Sequence, residues 1–267
     1  MRHRQSTRVC GATGLALVES QLDATYRLAK ESYGPVNPPL RSATGLPIEE
    51  WGRYDVIGDR TVYTGSCEEV AYAESLAHLR PAIVDGDLGV PDLADLFDGE
   101  EANGVSLAEL VNREWSAAHH MPVGQIAAAW RQERRMNRIL LPSAGWFVDI
   151  ETVDSIRAIR RNVGSILRVA GADDLDTSHL RGSNRRLTTA IAQWIHGVTL
   201  DNGAPPLGIV YGSKHDSHWS NWAIWLRSQE PGSYEFPLTV TGSVPIDEPA
   251  QNPPLQQICD LFGIRCH

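Results

Sequence analysis

The chain has 267 residues, with 24 Lys plus Arg against 33 Asp plus Glu, a formal net charge of −9. That length suits one large domain or two small ones, and 42% apolar residues with eight tryptophans supply an ordinary core. The acidic balance argues against a nucleic-acid-binding surface, so no direct nucleic-acid partner is expected; a local arginine pocket for a small phosphorylated ligand stays compatible.

Four cysteines, Cys10, Cys67, Cys259 and Cys266, form no C-x-x-C pair and no disulfide-framework spacing, which reads as free thiols in a reducing compartment. The basic start M-R-H-R-Q-S-T-R precedes only a weak apolar run, Gly11–Val18, too short for a secretory signal. No stretch approaches the roughly 20 apolar residues of a membrane span. The expectation is a cytoplasmic protein with no membrane partner.

In chain order, residues 1–12 read as a loose tail. Leu15, Val18, Leu22 and Tyr26 have helical spacing, while Thr25–Leu28 also suits a strand. Gly34–Pro47 holds four prolines and is a loop. The segment Gly52–Glu74 then places Arg53, Tyr63 and Glu74 ten and eleven residues apart. Tyr54–Ile57 and Thr61–Tyr63, joined by Gly58-Asp59, predict a hairpin. Ser66-Cys67-Glu68-Glu69 has the capping-box form, predicting a helix from Cys67 with Val70, Ala73 and Ala77 on its apolar face. Glu74 borders that face, as a surface residue or as a group held in a cleft.

Residues 81–128 are acidic and loop-rich and read as an insertion, with a second capping box at Ser106–Glu109. Ile139–Leu141 and Trp146–Val148 flank a Pro142–Gly145 turn and suggest a hairpin. A long helix follows, with Val153, Ile156, Ile159, Val163 and Ile166 as its stripe and Arg157, Arg160, Arg161 and Arg168 as a solvated face. Asp173–Arg186 is polar and irregular. Leu187, Ala190, Ile191, Trp194 and Ile195 make another helix, closed by Gly197. Leu207–Tyr211 and Trp222–Leu226 are strands around a polar loop, Phe236–Val244 is a last strand, and a short helix lies near Leu255–Phe262. Paired strands with interspersed helices and no βαβ repeat indicate an α+β fold with a mostly antiparallel or split sheet.

The chain lacks G-x-G-x-x-G, G-x-x-x-x-G-K-[S/T] and G-x-S-x-G, which removes the main warrant for Rossmann, P-loop and α/β-hydrolase readings. His119-His120 and His215-x-x-His218 lack the companions of a metal motif, so no metal is expected. Ser213, His215 and Asp216 are too close in one loop for a nucleophilic relay. Ser213 follows a strand end, where a hydroxyl can contact a ligand's phosphate or ribose.

Thr25-Tyr26-Arg27, Gly52-Arg53-Tyr54-Asp55, Val62-Tyr63-Thr64, Ala71-Tyr72-Ala73-Glu74, Gly208-Ile209-Val210-Tyr211-Gly212-Ser213 and Asn221-Trp222-Ala223, in this order, resemble the RES-domain family. The resemblance spans roughly residues 25–80 and 130–228. It departs at the 81–128 insertion and at Gly212, where the family often has proline. Family members are typically bacterial toxins paired with an antitoxin carrying a helix-turn-helix domain, and characterised members destroy NAD by hydrolysis or phosphorolysis.

The resemblance implies a single RES-like domain over 13–245, tails at 1–12 and 246–267, and an ADP-ribosyltransferase-like split antiparallel sheet with flanking helices. It implies Glu74, Arg53 and Tyr63 as catalytic residues, and Arg27, Arg53, Tyr63, Ser213 and Asn221 as the groups that bind NAD. NAD is then the substrate, no separate cofactor is needed, and inorganic phosphate is a candidate acceptor beside water. The expected protein partner is a cognate antitoxin; a homodimer is also compatible. Two competing readings are a mono-ADP-ribosyltransferase acting on a protein, disfavoured because Tyr72 stands where an acidic acceptor-positioning residue would, and a non-catalytic module whose acidic face binds a partner.

Overall fold

The computed structural model describes residues 7–81, 124–169, 174–228 and 238–267. Nine strands form one sheet: β1 (Thr7–Val9), β2 (Ala16–Glu19), β3 (Ala24–Lys30), β4 (Thr61–Gly65), β6 (Arg134–Leu140), β7 (Trp146–Asp149), β8 (Gly208–Gly212), β9 (Ser220–Trp225) and β10 (Thr239–Pro245). Their order is β1-β2-β7-β8-β9-β4-β3-β6-β10, antiparallel throughout except for β7 beside β8. Two short strands, β5 (Gln125–Ile126) and β11 (Arg265–Cys266), pair separately in parallel. The helices are α1 (Glu68–Leu76), α2 (Ala128–Gln132), α3 (Val153–Val169), α4 (Thr177–Arg181), α5 (Arg185–His196) and α6 (Pro253–Phe262). The molecule is α+β, with a large, mostly antiparallel sheet and flanking helices. Among the described residues no helix is long and apolar enough to cross a membrane, and all four cysteines are free thiols.

Chain connectivity shows that the sheet is not flat. Strands β2 and β3 stand second and seventh in the order, a separation of about 24 Å at the usual strand spacing. The chain from Glu19 to Ala24 reaches at most about 18 Å, so the sheet must curl. The β6–β7 connection imposes the same constraint. Accordingly Leu141, just after β6, is buried in one apolar cluster with Val18, Phe147, Val210, Trp222 and Ile224. On the opposite face of the same strands, Leu17, Val148, Ile209, Ala223 and Trp225 pack with Ile159, Val163, Leu187, Ile191 and Ile195 of α3 and α5, as the period-2 alternation of strands requires. A third cluster joins α1 and α6 through Tyr72, Ala73, Leu76, Leu255, Ile258 and Phe262.

Several expectations need correction. Tyr54–Ile57 is not a strand: its backbone donors go to turns, with Asp55 N–H on the Gly52 carbonyl and Tyr54 N–H on the Tyr63 hydroxyl. The Ser66 capping box is not formed. Helix α1 is capped at Cys67 without a side-chain bond, and Ser66 Oγ instead accepts the Ser220 N–H. Strands β6 and β7 make no hairpin, because Leu141 N–H bonds to Asp23 and Ser20 N–H to Gly145, tying their connection to the β2–β3 loop. Val153, placed on the stripe of α3, is 71% exposed.

The described parts of the supposed tails belong to the fold. Thr7–Val9 pairs with β2. Residues 246–267 contribute α6, whose capping Asn252 donates to the Tyr72 hydroxyl on α1 at 2.8 Å. Most of the 81–128 segment, with Ser106–Glu109 and His119-His120, lies outside the described residues. Its last part is built in: Ile126 is buried, and β5 pairs with β11.

Candidate functional site

Strand β3 pairs with β6 at seven positions and β4 with β9 at five, but β3 meets β4 only at Tyr26 opposite Gly65. The sheet therefore parts between β3 and β4, and a cleft of about 260 Å3 opens beside the parting. Arg27 of β3, Arg53 of the turn after Trp51, Tyr63 of β4, Glu74 of α1 and Asn221 of β9 all line it.

Glu74 is held from the far side of the sequence. Ser213 Oγ donates to its Oε1 at 2.8 Å and Asn221 Nδ2 donates to the same oxygen at 3.0 Å. Among the described residues Oε2 has no hydrogen-bond partner, so one carboxylate oxygen is fixed and the other is left for a ligand. Ser213 is only 1% exposed, and its oxygen also accepts the His215 N–H at 3.2 Å. Ser213 is thus engaged with the acid itself. The Ser213–His215–Asp216 relay is absent: only the backbone of His215 meets Ser213, while its ring packs on Phe262.

Two half-buried arginines line the same cleft. Arg27 Nη1 donates to the Tyr63 carbonyl at 3.0 Å, a ladder acceptor that the parted sheet leaves unpaired, and its Nε is buried without a partner. Burial pulls the Arg27 guanidinium down to about 10, only partly opposed by Tyr63 and Asp55. Arg53 also has a buried Nε without a partner, and its Cζ lies 5.6 Å from the Tyr211 ring centre. Among the described residues neither arginine forms an ion pair. Partly burying a cation without a counter-ion is unfavourable, and an anionic ligand would supply the missing partner.

Tyr63 is anchored by its hydroxyl. It donates to Asp55 Oδ1 at 2.8 Å and accepts the Tyr54 N–H at 2.8 Å, while burial raises its pKa well above 10. Asp55, 2% exposed, also takes the Gly52 N–H and Arg41 Nε. A methyl group on Gly52 would come within 2.5 Å of the Tyr63 oxygen, so glycine is what lets the Arg53 turn lie against this ring. The arrangement closes the hydroxyl to proton transfer and leaves the ring as the useful surface.

Sequence reasoning missed Arg185. It lines the cleft from the first residue of α5, held by bonds from Nε to the Trp51 carbonyl and from Nη1 to the Gly182 carbonyl. The signal was Asn184, the N-cap that accepts the Leu187 N–H, inside a segment read as irregular. The cleft thus carries three guanidinium groups against one carboxylate, in a chain whose net charge is −9.

Residues 24–149 match the family model of the RES domain. Just under half of the chain thus matches the family that its ordered motifs resemble. That family is associated with toxin–antitoxin systems and NAD-using activity. Arg27, Arg53, Tyr63 and Glu74 lie inside the matched range, whereas Asn221, Ser213 and Arg185 lie beyond it. No curated protein and no solved structure gives a match.

Proposed function

We propose that this protein cleaves the nicotinamide–ribose bond of NAD, with water or inorganic phosphate as acceptor. The observation that carries the reading is a carboxylate fixed through one oxygen, in a cleft lined also by two half-buried arginines that have a buried, unpartnered Nε and, among the described residues, no counter-ion. The guanidinium groups of Arg27 and Arg53 suit a pyrophosphate, which accepts parallel charge-assisted hydrogen bonds. The Tyr63 ring offers a face for the cationic nicotinamide. Asn221 keeps Glu74 in place beside the same ligand.

In the reaction the C1–N bond of the nicotinamide ribose breaks and its electron pair leaves with nicotinamide. The ribose acquires oxocarbenium character, and the Glu74 carboxylate stabilises it electrostatically. The acceptor oxygen then bonds to C1 and gives up a proton, yielding ADP-ribose from water or ADP-ribose 1″-phosphate from phosphate. The parting of β3 from β4 supports an ADP-ribosyltransferase-like split sheet. On the family resemblance, the chain is the toxin of a pair whose antitoxin carries a helix-turn-helix domain.

The test is nicotinamide release from NAD by the purified protein, with and without phosphate, and products identified by mass spectrometry. Glu74→Gln should bind NAD nearly normally while turnover falls by at least about a hundredfold. No release from folded wild type under either condition refutes the proposal, and label transferred from NAD to a protein would favour the mono-ADP-ribosyltransferase reading instead.

A further inference from the structure

We propose that Glu151 and Arg181 are positioning residues for Glu74, acting through Gly212 and Ser213; the inference rests on the NAD-cleaving reading above. Glu151 follows the end of β7, and Gly212 ends β8, its parallel neighbour. Arg181 closes α4, a helix too short to show a periodic signal in the sequence. Arg181 Nε and Nη2 each donate to one oxygen of Glu151 at 2.7 Å, a two-pronged ion pair. The Gly212 N–H donates to the same carboxylate at 3.1 Å. The Glu151 side chain is 7% exposed.

Arg181 is 30% exposed and Glu151 nearly buried, and desolvating such a carboxylate offsets much of the pair's attraction, so the pair is a poor device for general stability. Its directional bonds fix a position. Here the position fixed is the end of β8, and the next residue, Ser213, places its hydroxyl on Glu74 Oε1. Gly212 fits the arrangement closely: a methyl group there would meet Arg181 Nη2 at 2.3 Å and Glu151 Oε2 at 3.0 Å. The same helix reaches the opposite wall of the cleft, since the Leu180 carbonyl accepts the Tyr54 hydroxyl at 2.9 Å, one residue from Arg53. Helix α4 thus braces both the acid and the arginine turn, and Glu151 carries the acid's side of the brace.

The test is a kinetic cycle on the full chain, using NAD and nicotinamide release with Glu151→Gln, Ser213→Ala and the double variant. Glutamine keeps the shape but loses the two-pronged pairing with Arg181. Glu151→Gln should lower kcat by about tenfold with KM for NAD changed less than about twofold, and should cost nothing further in the Ser213→Ala background. Equal losses in both backgrounds, or a raised KM with kcat kept, overturn the proposal. If Glu151→Gln does not fold, Arg181→Lys, which keeps the charge and one bond, takes its place in the cycle. If wild type releases no nicotinamide, the NAD-cleaving reading has failed, and amide hydrogen exchange decides the brace on its own. Arg181→Lys should then speed exchange at Gly212 by about tenfold relative to mid-strand Ile209, and unchanged exchange overturns it.

Discussion

Arg27→Met separates a ligand-binding arginine from a structural one. The fall of the guanidinium from its ordinary value to about 10 means that burial disfavours its charged form by about 3 kcal/mol. Against this stands one hydrogen bond to the Tyr63 carbonyl, whose loss leaves a buried acceptor unpaired at a cost of about 1–3 kcal/mol. The two terms nearly cancel, so methionine, similar in length and uncharged, should change the unfolding free energy by no more than about 2 kcal/mol in either direction. The effect on binding is one-sided. Losing two charge-assisted bonds to a pyrophosphate, at about 1.5–3 kcal/mol each, weakens NAD by at least a hundredfold. The assay is urea unfolding together with calorimetric titration of NAD, both in the Glu74→Gln background so that the ligand survives the measurement. A loss of stability well above about 3 kcal/mol with NAD affinity intact would make Arg27 a structural strut and refute the reasoning.

Arg53→Lys keeps the charge but loses the planar fork, so NAD affinity should fall by about ten- to a hundredfold with the melting temperature unchanged; equal affinities by titration would misplace the phosphate site. Gly52→Ala drives a methyl group into Tyr63, which should cost about 1–3 kcal/mol and weaken NAD binding as the Arg53 turn shifts; a thermal melt and a titration check both. His215, half-buried on Phe262, is held below its ordinary 6.5 by burial, with Glu74 opposing and Lys214, Arg80 and Arg53 reinforcing the shift. The folded state therefore binds this proton less readily than the unfolded chain. Stability should be unaffected by it above about pH 6.5 and decline as the pH falls from there towards the folded value. His215→Phe should flatten that part of a melting-temperature-against-pH curve.

How much of this was legible in the sequence depends on the range of the interaction. Helix α1 was readable from local spacing, as was the strand character of Thr61–Tyr63, and the ordered motifs singled out Arg27, Arg53, Tyr63, Glu74 and Asn221, all of which the structure gathers at one cleft. Strand pairing was not readable. Residues Ile139–Val148 have the pattern of a hairpin, yet β7 pairs with β2 and β8 because turns at both ends of the sheet are tied to each other rather than to their own strands. The stripe Leu255, Ile258, Cys259 and Phe262 announces a helix, but nothing local says that its partner is the Glu74 helix nearly two hundred residues earlier. Ser213 was noticed for the right reason, a hydroxyl at a strand end. What the sequence cannot show is that a carboxylate from α1 lies within 2.8 Å of it.

The register of two ladders explains why the site needs more than the matched 24–149 range. Gly65 at the end of β4 stands opposite Asn221, and Asn221 in turn stands opposite Tyr211. Asn221 can reach Glu74 because α1 begins three residues after Gly65, and Ser213 reaches it because β8 ends one residue earlier, at Gly212. A slip of one residue between β4 and β9 would turn Asn221 to the other face of the sheet and carry Trp222, now in the apolar cluster with Val62 and Ile224, into the cleft. The cost of exposing that tryptophan locks the register, and with it the carboxylate. The acid, Arg27 and Arg53 come from the first half of the chain, while Arg185 and the groups that hold the acid come from the second, joined by a ladder whose apolar face admits one alignment.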